Sequence, residues 1–275
     1  MSLSLLTWRV GRRVTRRTAD LLARLAAPVI NLRPPAPVRA WERTILQATG
    51  QAPTRRQRRL MLENWLRNTL WSLGLAGWSA QDIVDSVVIT DRDAEKLRSS
   101  AAGPGLVVAL PHMGSWDCAG AWAARTGLPV VSVAERLPDG LYERFRDARA
   151  AMGITVYPVD EPEVLDRLAE DVRAGRLVCL VSDRALSSHG VTVDWPGGDQ
   201  VRITVPAGPA LLALRTGAHL RAATTRFEGR RLRIDVSDPI EGTEVTELLH
   251  GVVAHFASAI RESPENWLML RKALR

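Results

Sequence analysis

Residues 106–117 read LVVALPHMGSWD and combine a short apolar run with a polar turn. The run 106–110 lies between a glycine and a proline and predicts a strand buried on both faces. Ser115 is suited to cap a following helix, and Asp117 would complement the dipole of that helix from its first turn. His112 is therefore predicted to lie in a strand-to-helix turn, close to Asp117.

His112 and Asp117 have the chemistry of a general-base pair. Neutral imidazole accepts protons near neutral pH, and a carboxylate beside its other nitrogen fixes the tautomer and stabilises the imidazolium. No G-x-S-x-G elbow occurs, so the nucleophile is expected to be water or a substrate hydroxyl. His189 and Asp194 repeat the spacing, but residues 191–193 predict extended chain there. The alternative for the first pair is a loop histidine and a capping aspartate.

From residue 103 onward, short apolar runs alternate with helical segments. We predict strands over 106–110, 128–133, 154–157 and 176–182, separated by helices over 117–126, 141–152 and 164–174. A helix over 207–216, a strand pair over 220–227 and 231–236, and a helix over 245–261 follow. This alternation predicts an α/β fold with a central, mostly parallel sheet flanked by helices.

Three polar residues directly follow predicted strands, namely His112, Glu135 and Asp183. Because ligands collect outside the carboxyl ends of parallel strands, we expect these residues to share a site. The alternatives are a solvated Glu135–Arg136 loop pair and a local Asp183–Arg184 ion pair at the end of a strand.

The formal net charge of +7 is concentrated near the N-terminus. Residues 1–67 hold fourteen arginines against three acidic residues, so this segment carries +11 and the remainder −4. Apolar residues recur there at near-helical spacing, at Leu3, Leu6, Val10, Val14, Leu21, Leu22 and Leu25, with Trp8 suited to a headgroup boundary. The pattern predicts a helix on anionic lipid, peripheral on the cytoplasmic face, because no apolar run could span a membrane. The equally open alternative is a helix that packs its leucines on the main domain.

We divide the chain into residues 1–80, a basic amphipathic helical region at the membrane surface, and residues 81–275, the α/β domain. The two are expected to form one structural unit. A second basic block at 55–59 precedes a helical pattern that carries Trp65, Trp71 and Trp78.

Nucleic acid is the competing explanation for the arginines. The sequence has no helix-turn-helix punctuation, zinc-ligand spacing or aromatic RNA-binding signature, and lipid phosphates also account for the interleaved leucines. No glycine-rich phosphate loop or metal-ligand spacing occurs, so we expect neither a metal nor a resident cofactor. Cys118 and Cys179 are predicted to be free, buried and structural.

Four sequence blocks follow one another in order: HMGSWD at 112–117, VAER at 133–136, SDRALSSHGVTVDWPG at 182–197 and VPAGPALLALRTGA at 205–218. They resemble the blocks of the bacterial lysophospholipid and lipid A acyltransferase family over residues 103–260. VAERL, FRDARAAMG and the SDR block together are most similar to the actinobacterial phosphatidylinositol mannoside acyltransferases. The family's histidine motif falls on His112.

The resemblance implies an acyl-CoA-dependent O-acyltransferase, with an acyl carrier protein as the alternative donor. The acceptor would be a mannose hydroxyl of phosphatidylinositol mannosides at the inner membrane face. By the family's pattern His112 would take the proton from that hydroxyl, and Asp117 would orient His112. Backbone N–H groups near the turn are candidates to stabilise the oxyanion.

The resemblance also implies substrate-binding residues. Glu135 would lie near the sugar, Arg149 would contact a phosphate or carboxylate, and Asp183 and Arg184 would bind the acceptor or support the site. Two departures concern the acceptor side: Ala185 stands where the family has a second acidic residue, and the loop after Glu135 is one residue shorter. The alternatives are acylation of a lysophospholipid or another glycolipid, or a non-catalytic lipid-binding protein on the same scaffold.

Overall fold

A seven-stranded sheet forms the centre of the computed structural model, which describes residues 14–137, 140–185, 190–197, 200–271 and 273–274. The strands are β1 Val87–Val88, β2 Leu106–Leu110, β3 Val130–Ala134, β4 Ile154–Pro158, β5 Leu177–Val181, β8 His219–Glu228 and β9 Arg231–Val236. Their order is β1-β9-β8-β2-β5-β3-β4, and all neighbours are parallel except β8 and β9. The mostly parallel sheet is confirmed.

Ten α-helices of the described residues surround this sheet: α1 Arg16–Leu32, α2 Ala36–Thr49, α3 Arg55–Gly74, α4 Ala80–Asp85, α5 Asp91–Ala102, α6 Trp116–Arg125, α7 Leu141–Ala151, α8 Val164–Arg173, α9 Gly208–Thr216 and α10 Val245–Glu262. The sequence patterns did not predict helices α2, α4 and α5, strand β1 or the 3₁₀ turn at Pro264–Asn266. Residues 191–193 were predicted to be extended, and they belong to β6 Gly190–Asp194, which pairs with β7 Arg202–Pro206 in an antiparallel ribbon that was not predicted.

Strand β2 separates two apolar cores. Val107 and Ala109 face one core, to which α8, α9 and α10 contribute, whereas Leu106, Val108 and Leu110 face the other, to which α5 and α6 contribute. All five residues of the strand are buried. The continuous apolar run in the sequence therefore reflects a strand covered on both faces.

Helix α1 packs through small residues and exposes its large ones. Ala19, Ala23 and Ala27 are buried, and α1 makes extensive contacts with α3. Leu21, Leu22 and Leu25 are 57%, 46% and 63% exposed, and Val29 and Leu32 continue the exposed stripe. For Leu21, Leu22 and Leu25 the alternative of packing on the main domain is therefore wrong, whereas Val14 does pack against a buried core. Residues 1–13, including Leu3, Leu6, Trp8 and Val10, lie outside the described residues.

The N-terminal helices contact the α/β part of the chain through buried polar groups. Trp41 donates its indole N–H to the carbonyl of Trp267 at 2.8 Å, and Arg67 donates to the carbonyl of Gly229 at 3.1 Å. Arg67 also pairs with Asp20 of α1 at 3.2 Å. Within the described part of the chain, no helix has the length and apolar character needed to cross a bilayer.

Candidate active site

A tight turn after β2 holds His112. Gly114 has φ +53°, and a Cβ on it would lie 2.5 Å from Thr225 Oγ1, so a side chain does not fit. The Thr225 hydroxyl donates to the carbonyl of Met113 at 2.7 Å and accepts from the N–H of Ser115 at 3.1 Å. Strand β8 thereby fixes both sides of the turn.

The imidazole of His112 contacts the carboxylate of Asp183. Nδ1 of His112 lies 2.5 Å from Asp183 Oδ1, and the backbone N–H of His112 donates to Asp183 Oδ2 at 2.8 Å. The register explains this contact, because Leu110 of β2 pairs with Val181 of β5 and each side chain stands two residues beyond its strand. Asp183 is only 1% exposed and lies beneath His112, which favours support of the site over direct binding of the acceptor, the two roles predicted for it.

Asp117 does not provide the predicted partner of His112. Its carboxylate accepts two hydrogen bonds from Arg149 of α7, from Nε at 2.8 Å and from Nη2 at 3.3 Å. The predicted His112–Asp117 contact is therefore wrong. Asp117 lies in the first turn of α6, and its side chain is directed to the neighbouring helix. Arg149, predicted to bind substrate, is held in this ion pair and also lies over the Phe145 ring.

The protonation of the His112–Asp183 pair follows from its surroundings. Burial lowers the pKa of His112, but the charge and hydrogen bond of Asp183 outweigh it, so the net pKa is raised above 6.5. Burial raises the pKa of Asp183, but the bonds to His112 and Trp267 give a net pKa below 3.8. Since an ionised carboxylate accepts from Nδ1–H, Nε2 is left as the basic nitrogen. The His112 side chain is 32% exposed and can reach a ligand.

A cavity of about 960 Å³ opens at the carboxyl ends of the strands. Five of the six sequence-predicted site residues line it, namely His112, Asp117, Glu135, Arg149 and Arg184, and the sixth, Asp183, lies beneath His112. Glu135 follows β3 and is exposed. Nε of Arg184 is buried and has no hydrogen-bond partner among the described residues.

A second, apolar pocket of about 110 Å³ lies between α6 and the strands β2, β3 and β5. The two cavities share the residues Trp116, Asp117, Val133, Ala134, Arg149 and Val181, so the Asp117–Arg149 pair lies where they meet. Farther in, Gly120 faces Ile154, and a Cβ on Gly120 would lie 3.1 Å from Ile154 Cδ1. Burial raises the pKa of the Cys179 thiol in this pocket to about 12, so it is a neutral part of the lining.

The C-terminal segment forms a part of the site that sequence reasoning missed. Trp267 donates its indole N–H to Asp183 Oδ2 at 2.7 Å, and Leu268 donates its backbone N–H to the carbonyl of His112 at 2.7 Å. No local pattern could have revealed these contacts, because their partners are remote in sequence.

The backbone N–H groups of the turn already have acceptors. Those of His112, Gly114 and Ser115 donate to Asp183, Asn266 and Thr225. These three groups, which belong to the turn expected to stabilise an oxyanion, are engaged within the protein.

Comparison of the sequence with known proteins identifies a family and several relatives. The family model of bacterial lipid A biosynthesis acyltransferases matches residues 57–275. A phosphatidylinositol mannoside acyltransferase of Mycobacterium tuberculosis is 40% identical over 176 residues, which are 62% of this chain and 55% of that protein. One of Mycolicibacterium smegmatis is 39% identical over 175 residues, 62% of this chain and 57% of that protein. The chain thus spans little more than half the length of these curated relatives.

Proposed function

This chain belongs to the bacterial lipid A biosynthesis acyltransferase family, and we propose that it transfers a long fatty acyl chain from acyl-CoA to a mannose hydroxyl of phosphatidylinositol mannosides. The observation that carries this proposal is the His112–Asp183 pair, which faces the large cavity and lies beside the smaller apolar pocket that adjoins it. A base, a space for a headgroup and a space for an acyl chain meet there.

In the proposed reaction Nε2 of His112 takes the proton of the acceptor hydroxyl. The hydroxyl oxygen attacks the thioester carbonyl, and the resulting oxyanion re-forms the carbonyl as the C–S bond breaks. The CoA thiolate leaves with the proton returned by His112, so an ester replaces the thioester with no other reactant. Asp183 stabilises the transient imidazolium and holds Nδ1–H in place.

The apolar pocket is the proposed site of the acyl chain. Its walls are the buried faces of α6 and the central strands, and an alkyl chain gains free energy when such a surface removes it from water. The entrance lies beside Trp116, whose ring contacts His112 edge-on at 5.1 Å between centroids. A thioester carbonyl at this entrance would lie near the base.

The large cavity, whose mostly apolar lining carries several charged side chains, is the proposed acceptor site. The exposed carboxylate of Glu135 is suited to bind sugar hydroxyls, and Arg184 is suited to bind a phosphate. Asp117 and Arg149 support the site through their ion pair, and a direct catalytic or substrate-binding role for either residue stays a prediction.

The first helices and the rim of the cavity support peripheral attachment to the inner face of the membrane. The exposed stripe of α1 is accompanied by exposed arginines on α1 to α3 and their connections, at Arg17, Arg24, Arg33, Arg39, Arg43, Arg55, Arg56 and Arg59. Trp65, Leu137 and Val159 are exposed apolar residues that line the cavity. Apolar side chains with flanking arginines suit an anionic bilayer, in which a lipid acceptor is dissolved.

An acyl-transfer assay with palmitoyl-CoA tests the proposal. Free thiol release is followed with and without phosphatidylinositol mannoside in vesicles, and the acylated lipid is identified by mass spectrometry. Acceptor-dependent release is the expected result. Release only with a lysophospholipid or another glycolipid would show that this lipid is the acceptor. Such a change of acceptor is compatible with Ala185, which stands where the family has a second acidic residue. No release with any acceptor would favour the lipid-binding alternative.

A further inference from the structure

Three fully buried tryptophans lie beside the site, and each indole N–H has an acceptor. Trp195 donates to the carbonyl of Ala48 and Trp41 to the carbonyl of Trp267, both at 2.8 Å. Trp267 instead donates to a side chain, Asp183 Oδ2, at 2.7 Å. Of these three bonds, the one from Trp267 therefore acts on the carboxylate of the proposed catalytic pair.

The Trp267 ring is fixed on several sides. It is stacked on Trp195, with ring centroids 5.8 Å apart and planes 12° from parallel. Its backbone forms an antiparallel bridge with Met113, and the next residue, Leu268, donates to the carbonyl of His112. A donor held this firmly fixes the orientation of the group that accepts from it.

Asp183 accepts three hydrogen bonds from the described part of the chain. Oδ1 faces Nδ1 of His112, whereas Oδ2 accepts from the His112 backbone N–H and from the Trp267 indole. Without the indole, Oδ2 would accept only the hydrogen bond from the His112 backbone, and water could hardly replace the lost donor because the Asp183 side chain is only 1% exposed.

We propose that Trp267 is a positioning residue, whose indole N–H orients the Asp183 carboxylate and stabilises its negative charge. As a result, His112 is neutral in more of the molecules near neutral pH. The importance of this for acyl transfer rests on the proposed function. The effect on His112 itself does not, because the hydrogen bond exists without substrate.

The direction of the effect follows from linkage. The carboxylate carries its full uncompensated charge when His112 is neutral, and part of that charge is compensated when His112 is an imidazolium. A donor to Oδ2 therefore stabilises the neutral-histidine state more, which lowers the pKa of His112. Removal of the indole N–H should raise that pKa.

Removal of the Trp267 indole N–H leaves the other charged groups around His112 in place. Arg184 opposes protonation of His112. The remaining charged groups that line the cavity are Asp117 on α6, Glu135 and Arg136 after β3, Arg149 on α7 and Asp160 after β4.

Trp267→Phe removes the N–H and keeps an aromatic ring on Trp195. The imidazole signal of His112 is titrated by NMR in the free protein and assigned by its loss in His112→Gln. We expect the pKa of His112 to rise by about half to one pH unit. A shift of this size corresponds to only part of the free energy of a hydrogen bond to a charged group, because the bond is present in both protonation states of His112. The acid limb of kcat/KM should move upward with it.

Trp71→Phe is the matched control, because it also removes a buried indole N–H bond to a carboxylate, that of Asp20, and Trp71 has no contact with Trp267 or Asp183 among the bonds described. We expect His112 to titrate in this variant as in the unmodified protein. If Trp267→Phe does not fold, benzothienylalanine at position 267 keeps both rings and replaces the N–H by sulfur.

An unchanged or lowered His112 pKa in the folded Trp267 variant would overturn the proposal, as would an equal rise of that pKa in Trp71→Phe. Failure of the proposed function would be seen separately, as absent acyl transfer in the unmodified protein while the NMR titration still answers the question about Trp267.

Discussion

His112 and Asp183 are joined at 2.5 Å although they are 71 residues apart in the sequence, because β2 and β5 are parallel neighbours. The carboxylate of Asp117, only five residues from His112, is instead held by Arg149. The two aspartates of the site therefore have different partners, and substitution of each should have a different effect.

Asp183→Asn and Asp117→Asn are a matched pair of isosteric changes. Asp183→Asn should lower kcat by about 10³–10⁴-fold, because the imidazolium loses its partner and the amide can stabilise the wrong tautomer. Asp117→Asn should lower kcat much less. It should reduce the free energy of unfolding by about 2 kcal/mol, because it leaves the half-buried Arg149 without its counter-ion. Kinetics and thermal unfolding of both variants check this. A larger kcat loss in Asp117→Asn would restore the pairing expected from the sequence.

The pH dependence of transfer should report the raised pKa of His112. A general base must be neutral, so kcat/KM should fall as the pH drops through the pKa of His112, which lies above 6.5. In Asp183→Asn the charge that raises this pKa is gone while burial still lowers it, so the acid limb should move below pH 6.5. A pH profile of each protein measures both positions. An acid limb unchanged between them would show that another group limits the reaction.

The strands that position the site could be predicted from the sequence, because they are short apolar runs that begin or end at glycine, proline or polar residues. Strand β2 was predicted at its observed limits, and His112 was correctly placed after it. Its partner was not, because spacing within one segment says nothing about the register between strands. The exposed stripe on α1 likewise had two readings until the buried alanines of the opposite face were seen.

Trp267 is the clearest example of what sequence reasoning could not reach. It follows the last long helix in a segment without periodicity, and its contacts with Asp183 and Met113 depend on the path of the chain after α10. The inner pocket is a similar case, because Gly120 is an ordinary helix residue in the sequence and only the packing on Ile154 gives it a role.

Substitution of Gly120 tests the pocket as the acyl-chain site. Gly120→Ala places a methyl group against Ile154, and Gly120→Leu should occupy much of the space, so preference should move progressively from palmitoyl-CoA to shorter acyl-CoAs. Alanine should also favour α6 by about 1 kcal/mol relative to glycine. Competition between acyl-CoAs of different length measures the preference.

Gly208→Ala is the control for Gly120, because Gly208 lines the outer cavity and an added Cβ there meets Leu180 at an ordinary 3.7 Å. Chain-length preference should be unaffected by it. If Gly120→Leu keeps the full preference for palmitoyl-CoA, the chain binds elsewhere.

The exposed stripe of α1 should contribute to membrane binding. Changing Leu25 and Val29 together to glutamine removes two large apolar side chains without altering charge or the buried face of α1. Each is worth about 1.5 kcal/mol or more when fully removed from water, so affinity for anionic vesicles should fall at least about tenfold. Co-sedimentation with vesicles of defined composition measures it.

Leu214→Gln serves as the control for the stripe, since Leu214 is also an exposed leucine, at 41%, but lies on α9, outside the helices to which we assign membrane contact. Its binding should be close to that of the unmodified protein. Equal binding by the α1 variant and the control would mean that the stripe does not enter the bilayer.

The most direct test of the central claim is transfer of labelled palmitoyl from palmitoyl-CoA to phosphatidylinositol mannoside by the unmodified protein and by His112→Ala, with His250→Ala as the control on the exposed face of α10. If His112 is the base, labelled acylated lipid should form with the unmodified protein and with His250→Ala, and none above background should form with His112→Ala. Undiminished transfer by a folded His112→Ala variant would contradict it.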